Sequence, residues 1–259
     1  MEKRNKISDL DGIESLKVVN QKNDFPEHYH DTFCISLIEN GMEAIKMGDN
    51  VIYTEKGHIS INNPYEIHSN PKIEDSSENS FTTLYVSPDL VDSLLKKKKV
   101  NFQHQQFVQK KQLELFSAVI KNLEAKNSAD LEKNLLNLLI GFDVQTKPVA
   151  EDANYSNEKW KNLTHWIDKH LEQKISLDFL ARYMGMDKFS FAKEFRLKIG
   201  LSPINYVLMK KTFLAKKIIT KDLNLTQLAY QLNFSDQAHF SRHFKRFIGV
   251  SPSDYKRQL

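Results

Sequence analysis

Two groups of residues in this 259-residue chain have types and spacings suited to chemistry. The first is histidine: His28 and His30 in "FPEHYHDTFCISLI", and His68 in "NNPYEIHSNP". A His-x-His pair on a strand presents both imidazoles on one face, and imidazole nitrogens are ligands for transition metals. The second group lies in two C-terminal stretches. "SDQAHFSRHFKR" carries Gln237, Ala238, His239, Ser241, Arg242, Lys245 and Arg246 around Phe240 and Phe244. "DKFSFAKEFR" carries Lys188, Phe189, Ser190, Lys193 and Arg196 around Phe191 and Phe195. Phenylalanines four apart share one face of a helix and commit it to a core, which leaves the other residues on the exposed face, with His239 at its flank. There a guanidinium can pair bidentately with guanine and a glutamine can read adenine, whereas Lys245 and Arg246 suit phosphates. Arg242 is the foremost base-reading candidate. Phe189, if exposed, would meet thymine methyls; if packed, it would join the core. Lys174, Lys210 and Lys211 are further candidates for the nucleic-acid backbone.

The elements that would hold the second group are written twice. "SLDFLARYMGMDKFSFAKEFRLKIGLSPINY" overlays "NLTQLAYQLNFSDQAHFSRHFKRFIGVSPSDY" once one extra residue is allowed in the second turn. In each copy a helix with a small Ala (Ala181, Ala229) is followed by a short turn. An N-capping side chain then opens a second helix: Asp187 in the first copy, Ser235 and Asp236 in the second. Two helices joined in this way form a helix-turn-helix unit, expected at about 175–198 and again at 223–247. Gly200 and Gly249 suit left-handed helix ends, and Ser202-Pro203 and Ser251-Pro252 suit the cap and first turn of the next helix. Residues 202–220 read as one joining helix, a rod about 28 Å long at 1.5 Å per residue. It would hold two recognition helices near the roughly 34 Å between successive major-groove faces.

The histidines belong to a different region. From Leu16 to Val86 short β runs alternate with turns, and Met47-Gly48-Asp49-Asn50-Val51 reads as a hairpin connection, which together suggest a small β-barrel or sandwich. Helical periodicity follows, with Leu131, Leu135, Leu138 and Leu139 at three- and four-residue steps. The expected organisation is a sensing β-domain over 1–87, a helical packing or dimerisation region over 88–145, a polar linker over 146–157, and a DNA-binding domain over 158–259.

Charge follows the same division. Residues 158–259 hold 19 Lys and Arg against 9 Asp and Glu, a net +10, and the remainder holds 18 against 24, a net −6. A basic segment beside an acidic one points to a polyanion for the first and another task for the second. The one cysteine, Cys34, lies in "FCISLI", excludes an internal disulfide, and reads as a small buried hydrophobe. No apolar run approaches the roughly 18 residues of a membrane span, and "MEKRNKISDLDG" begins no signal peptide, so a cytoplasmic protein without a membrane partner is expected.

The tandem units resemble the DNA-binding domain of the AraC/XylS family of bacterial transcription regulators over roughly residues 160–257. "LAYQLNFSDQAHFSRHFKRFIGVSPSDYK" follows the family signature nearly throughout. The departures are Asn233 where the family usually has Gly, Asp187 where Ser is common, and Lys211 where Arg is usual. The two N-terminal histidine stretches are similar to those of the cupin-type effector domain that many members carry. The resemblance therefore implies a two-domain α+β chain: a cupin-like β-barrel with a C-terminal helical segment, then an all-α tandem helix-turn-helix domain joined by a long helix. It implies a sequence-specific regulator, with double-stranded DNA as partner and a small-molecule effector in the barrel. It implies a homodimer, and RNA polymerase as a partner if the protein is an activator. His28, His30 and His68 stand where metal-binding cupins place three ligands, yet the Glu expected a few residues after His30 is replaced by Phe33, Cys34 and Ile35. No metal or other cofactor is therefore expected, nor an enzyme. An effector pocket lined by His28, Tyr29, His30, Phe33, Ile35, Glu66 and His68 is preferred. Two further readings stand beside the ligand-responsive regulator: an architectural DNA binder without effector response, and a cupin metalloenzyme carrying a DNA-targeting module.

Overall fold

The structure, a computed structural model, describes residues 3–6, 13–21, 24–73, 79–97, 99–125, 127–144 and 158–257. The expected linker over 146–157 lies outside the described residues. The chain divides into two compact units, Met1–Val149 and Ala150–Arg257.

Among the described residues the first unit begins with nine strands: β1 (Lys3–Lys6), β2 (Ile13–Val18), β3 (Phe25–His28), β4 (Phe33–Asn40), β5 (Met42–Met47), β6 (Asn50–Glu55), β7 (Ile59–Asn62), β8 (His68–Asn70) and β9 (Ser80–Val86). Helix α1 (Pro88–Leu95), the two-residue strand β10 (Gln105–Gln106), α2 (Lys110–Ala125) and α3 (Ser128–Ile140) complete it. The strands form a six-stranded sheet, β1-β2-β9-β4-β7-β10, and a four-stranded sheet, β3-β8-β5-β6, all pairs antiparallel. The β-rich domain read from the sequence is present, but as two sheets rather than a closed barrel. At the β10/β6 seam no ladder forms; the Gln105 side-chain amide donates to the Tyr53 carbonyl at 2.8 Å instead. Met47 faces Asn50 across the expected hairpin, whose Gly48 takes a φ of 58°.

Strand β4 shows how the unit divides its interior. Side chains alternate along a strand, so Phe33, Ile35 and Leu37 face one way and Cys34, Ser36 and Ile38 the other. The first set joins Val91, Phe102, Phe116, Val119, Leu131, Leu135, Leu138 and Leu139 in one apolar core between the large sheet and the helices. Those leucines, read as a packing or pairing face, are buried within the chain itself, while Ile140 on the same helix is 65% exposed.

The second unit is helical: α4 (Glu158–Lys169), α5 (Leu177–Met184), α6 (Lys188–Ile199), α7 (Pro203–Ile218), α8 (Leu225–Gln231), α9 (Gln237–Ile248) and α10 (Pro252–Arg257). Its interior is aromatic. Trp160 of α4 stacks on Phe191 at 6.1 Å, Phe195 meets Tyr206 edge-on at 5.5 Å, and Phe244 meets Tyr255 at 5.6 Å. No helix among the described residues is long and apolar enough to cross a membrane.

Candidate nucleic-acid interface and effector domain

The two helix-turn-helix units are α5–α6 and α8–α9, with α7 between them. The helix starts are capped by side chains, although Ser235 caps none of them and instead donates its hydroxyl to the Asp236 carboxylate at 3.2 Å. Ser176 accepts from the Phe179 amide, Asp187 from Phe189 and Ser190, Asn224 from Thr226 and Gln227, Asp236 from His239, and Ser202 from Asn205. These bonds satisfy amides that a helix start leaves without partners. They also hold the exposed Asp187 and Asp236 carboxyls below the usual carboxylate range, chiefly through bonds from Ser190 and His239 respectively. Asn233 takes a φ of 53° in the second turn, where the family pattern has Gly, and its side-chain amide donates to the Glu172 carbonyl. Helix α7 is 16 residues long, about 24 Å.

The recognition helices α6 and α9 expose different chemistry. On α6, Phe189 is 90% exposed and Leu197 71% exposed, with Lys193 and Arg196 also outward, so the packed alternative for Phe189 does not hold. Lys188 sits 2.9 Å from Asp178 of α5, and this contact leads the effects that depress the Asp178 carboxyl. Ser190 is exposed beside them. On α9, Ala238, Arg242, Lys245 and Arg246 are exposed and Ser241 is half-buried, while Phe240 and Phe244 are fully buried. Gln237 is exposed, but its carbonyl oxygen accepts from the Thr226 hydroxyl at 2.6 Å, so it ties α9 to α8. His239 is drawn inward, with its ring against Phe234 and His243 and its Nδ1 accepting from the Ser235 amide.

The three lysines offered for the nucleic-acid backbone fare unequally. Lys174 is exposed, and Lys210 lies 2.9 Å from Asp168. Lys211 is only 3% exposed, and its Nζ donates to the carbonyls of Gln173 at 2.9 Å and Leu232 at 2.7 Å. It crosslinks the joining helix to the end of α8 and to the segment before α5, and burial lowers its pKa to about 8. Sequence alone gave it a surface role because a lysine is rarely buried without partners.

In the first unit the structure gathers some of the residues offered for an effector pocket and disperses others. His28, His30 and His68 converge. Burial lowers the pKa of His28 to about 4 and that of His68 well below its ordinary value. Phe33 and Ile35 lie in the helix-facing core, on the opposite side of β4 from Cys34, which is itself buried. Tyr29 packs near Tyr65 at 5.9 Å. Glu66 accepts from the Asn63 backbone and side-chain amides and lies 3.6 Å from Nδ1 of His104.

Between the sheets lies a polar interior that sequence reading missed. Glu43 of β5 accepts from the Ser60 hydroxyl of β7 and, at 3.1 Å, from the Asn70 amide of β8. Ser36 and Thr83 are hydrogen-bonded nearby in the large sheet at 2.7 Å. Burial pushes the Glu43 carboxyl up to about 7, against the pull of Ser60 and Asn70. Thr54 Oγ1 and Asn62 Oδ1 are buried without hydrogen-bond partners, and such atoms call for a water or a ligand. The usable signal was parity: Glu43 falls in step with buried Ile45 on its strand.

Comparison with known proteins agrees with both halves of this description. Residues 16–139 match a family model described as an AraC-like ligand binding domain, and residues 180–258 match a helix-turn-helix domain model. YbfI of Bacillus subtilis strain 168, described as an uncharacterized HTH-type transcriptional regulator, is 24% identical over 238 residues, covering 88% of this chain and 85% of its own length. The HTH-type transcriptional activator RhaS of Klebsiella pneumoniae strain 342 is 23% identical over 249 residues, covering 90% and 88%. Among solved structures, wild-type ToxT of Vibrio cholerae strain SCE256, bound to an unsaturated fatty acid, has a TM-score of 0.59 at 14% identity, covering 98% of this chain and 97% of that one. That likeness shows a shared fold.

Proposed function

The chain belongs to the AraC family of transcription regulators, and from that premise we propose that it reads a specific DNA sequence with α6 and α9 under the control of a small molecule bound between the sheets of its first unit. The observation that carries this reading is the repeated unit itself: two capped recognition helices, with Phe191 and Phe195 of α6 and Phe240 and Phe244 of α9 buried and basic side chains outward. Arg242 reads a base, Lys193, Arg196, Lys245 and Arg246 hold phosphates, and Phe189 meets thymine methyls. Gln237 keeps its amide group for a base or phosphate while its carbonyl stays with Thr226. Effector control rests on the match to a ligand-binding domain and on the polar groups between the sheets, Thr54 and Asn62 among them.

The protein works in the cytoplasm, is not an enzyme, and acts as a homodimer. The surface that pairs the copies is not the Leu131–Leu139 face of α3, which the chain's own core consumes. RNA polymerase is a further partner if the protein activates transcription. The test is selection of bound duplexes from a random DNA pool, with and without candidate metabolites. Enrichment of one motif, in a yield that a metabolite changes, is expected; binding without any enriched motif would replace this reading with that of an architectural DNA binder.

A further inference from the structure

The turn of the second helix-turn-helix unit is tied directly to the segment that leads into the first. Three side chains make this junction. Gln231, the last residue of α8, donates its Nε2 to the Glu172 carboxylate at 3.0 Å, across 59 residues of chain. Asn233 donates its side-chain amide to the Glu172 carbonyl, across 61 residues. Lys211, in the middle of α7, donates from its Nζ to the Gln173 carbonyl at 2.9 Å and to the Leu232 carbonyl at 2.7 Å. These bonds join residues 172–173, 211 and 231–233, whereas the chain itself connects the two units through α7.

The chemistry of the acceptors makes the junction stiff. Gln173, Leu232 and Glu172 each accept with a backbone carbonyl, so the bonds hold the chain itself rather than a side chain free to turn. Two of the bonds come from an ammonium, and charged donors make stronger hydrogen bonds than neutral ones. Lys211 is 3% exposed, which keeps water from competing for its two carbonyls. Position matters as much. Leu232 and Asn233 begin the turn that ends at Asp236, the cap of α9, and Glu172 and Gln173 lie just before Ser176, the cap of α5, whose unit carries α6. The start of one recognition unit is thereby fixed against the start of the other. Ring packing on α7, such as Phe195 on Tyr206, is non-directional and tolerates small rotations; hydrogen bonds of fixed length and angle resist them.

We propose that Lys211, Gln231 and Asn233 are positioning residues that set spacing specificity: by locking α9 to the α5–α6 unit they restrict the protein to DNA whose two base segments stand at one separation. This rests on the regulator reading above, in which α6 and α9 both read bases. One base pair inserted between the segments moves the second by about 3.4 Å along the duplex and turns it by about 34°. A locked pair of recognition helices cannot follow both changes. A loosened pair follows them in part, and binds the original spacing more weakly because its extra freedom is lost on binding.

The test uses the full-length protein, the bipartite duplex selected from a random pool, and duplexes with one base pair added or removed between its two segments. The wild type should lose about 100-fold in affinity on either change. Lys211→Met should bind the selected duplex about fivefold more weakly, yet lose less than about tenfold on the same changes. Lys211→Arg should restore the wild-type discrimination, since a guanidinium also has donors for two carbonyls. Gln231→Ala removes one bond at an exposed helical position that favours alanine, and should relax discrimination in the same direction by less. Circular dichroism and tryptophan fluorescence establish that each variant is folded at the assay temperature; if Lys211→Met is not, Gln231→Ala carries the test. Discrimination kept in the folded variants, with every spacing weakened equally, would overturn the proposal, as would a wild type that tolerates either spacing change. Selection of a motif with a single segment would also overturn it while leaving the regulator reading intact. A pool that yields no enriched motif would end the regulator reading itself.

Discussion

The two units treat their polar groups in opposite ways. The first keeps polar groups inside: Glu43, Ser60, Asn70, His28 and His68 are all buried between or beside its sheets. The second fills its interior with rings, among them Trp160, Phe191, Phe195, Phe240 and Phe244, and sets its cations outside, with Lys211 as the exception. A buried polar group is costly unless it is partnered, so an interior of the first kind suits a molecule held within the unit. An apolar interior with a basic rind suits a partner too large to enter. One chain thus carries a receptor and a reader, each legible in where its polarity lies.

The largest expected effect strikes the ring-filled interior. Phe195→Ala removes a ring packed against Trp160, Phe191 and Tyr206 and should cost about 3–5 kcal/mol. Both tryptophans, Trp160 and Trp166, lie in the second unit, so their fluorescence reports its unfolding without the first. An unshifted tryptophan transition would mean that the rings do not carry this unit.

Next comes the polar interior. Glu43 has its pKa raised from 4.5 to about 7, so the folded unit holds that proton more tightly than the unfolded chain. The associated stability is fully present below pH 4.5 and is lost as pH rises towards 7. Calorimetry of the wild type and Glu43→Gln across this window should show the variant gaining about 3 kcal/mol on the wild type, at 1.36 kcal/mol per pKa unit. A difference independent of pH would show that burial does not perturb Glu43.

Lys211 sharpens the comparison as the exception in the ring-filled unit. Lys211→Met keeps the stem and removes both donors, leaving the Leu232 carbonyl without this bond, and should cost about 1–3 kcal/mol in the tryptophan transition. Asn233→Ala should cost about 1–2 kcal/mol, because alanine takes a positive φ poorly. Asn233→Gly should recover most of that loss. If glycine were as harmful as alanine, the bond to the Glu172 carbonyl, rather than the turn, would be the reason for the asparagine.

Much of the second unit was readable beforehand because its information is local. Gly200-Leu201-Ser202-Pro203 and Gly249-Val250-Ser251-Pro252 end one helix and start another by rules confined to a few residues, and the structure follows them. Its failures were long-range. Lys211 could be recognised as a crosslink only by knowing that Gln173 and Leu232 come to it, and Gln237 as a tie only by knowing that Thr226 does. The first unit was harder to read for the same reason. Its sites are assembled across sheets: Glu43 meets Ser60 from a strand 17 residues away, and His28 meets His68 only through strand pairing. The parity of β4 was available in the sequence, but which parity faced the helices was not.

Reading of DNA by α9 is the central claim, and Arg242 tests it most directly. Arg242→Ala leaves the buried face of the helix untouched, so the second unit should remain folded. Quantitative binding to the selected duplex and to its single-base variants should show a loss of about 1–3 kcal/mol, with preference relaxed at one base position and kept elsewhere. A folded Arg242→Ala protein that binds every variant as the wild type does would contradict the claim.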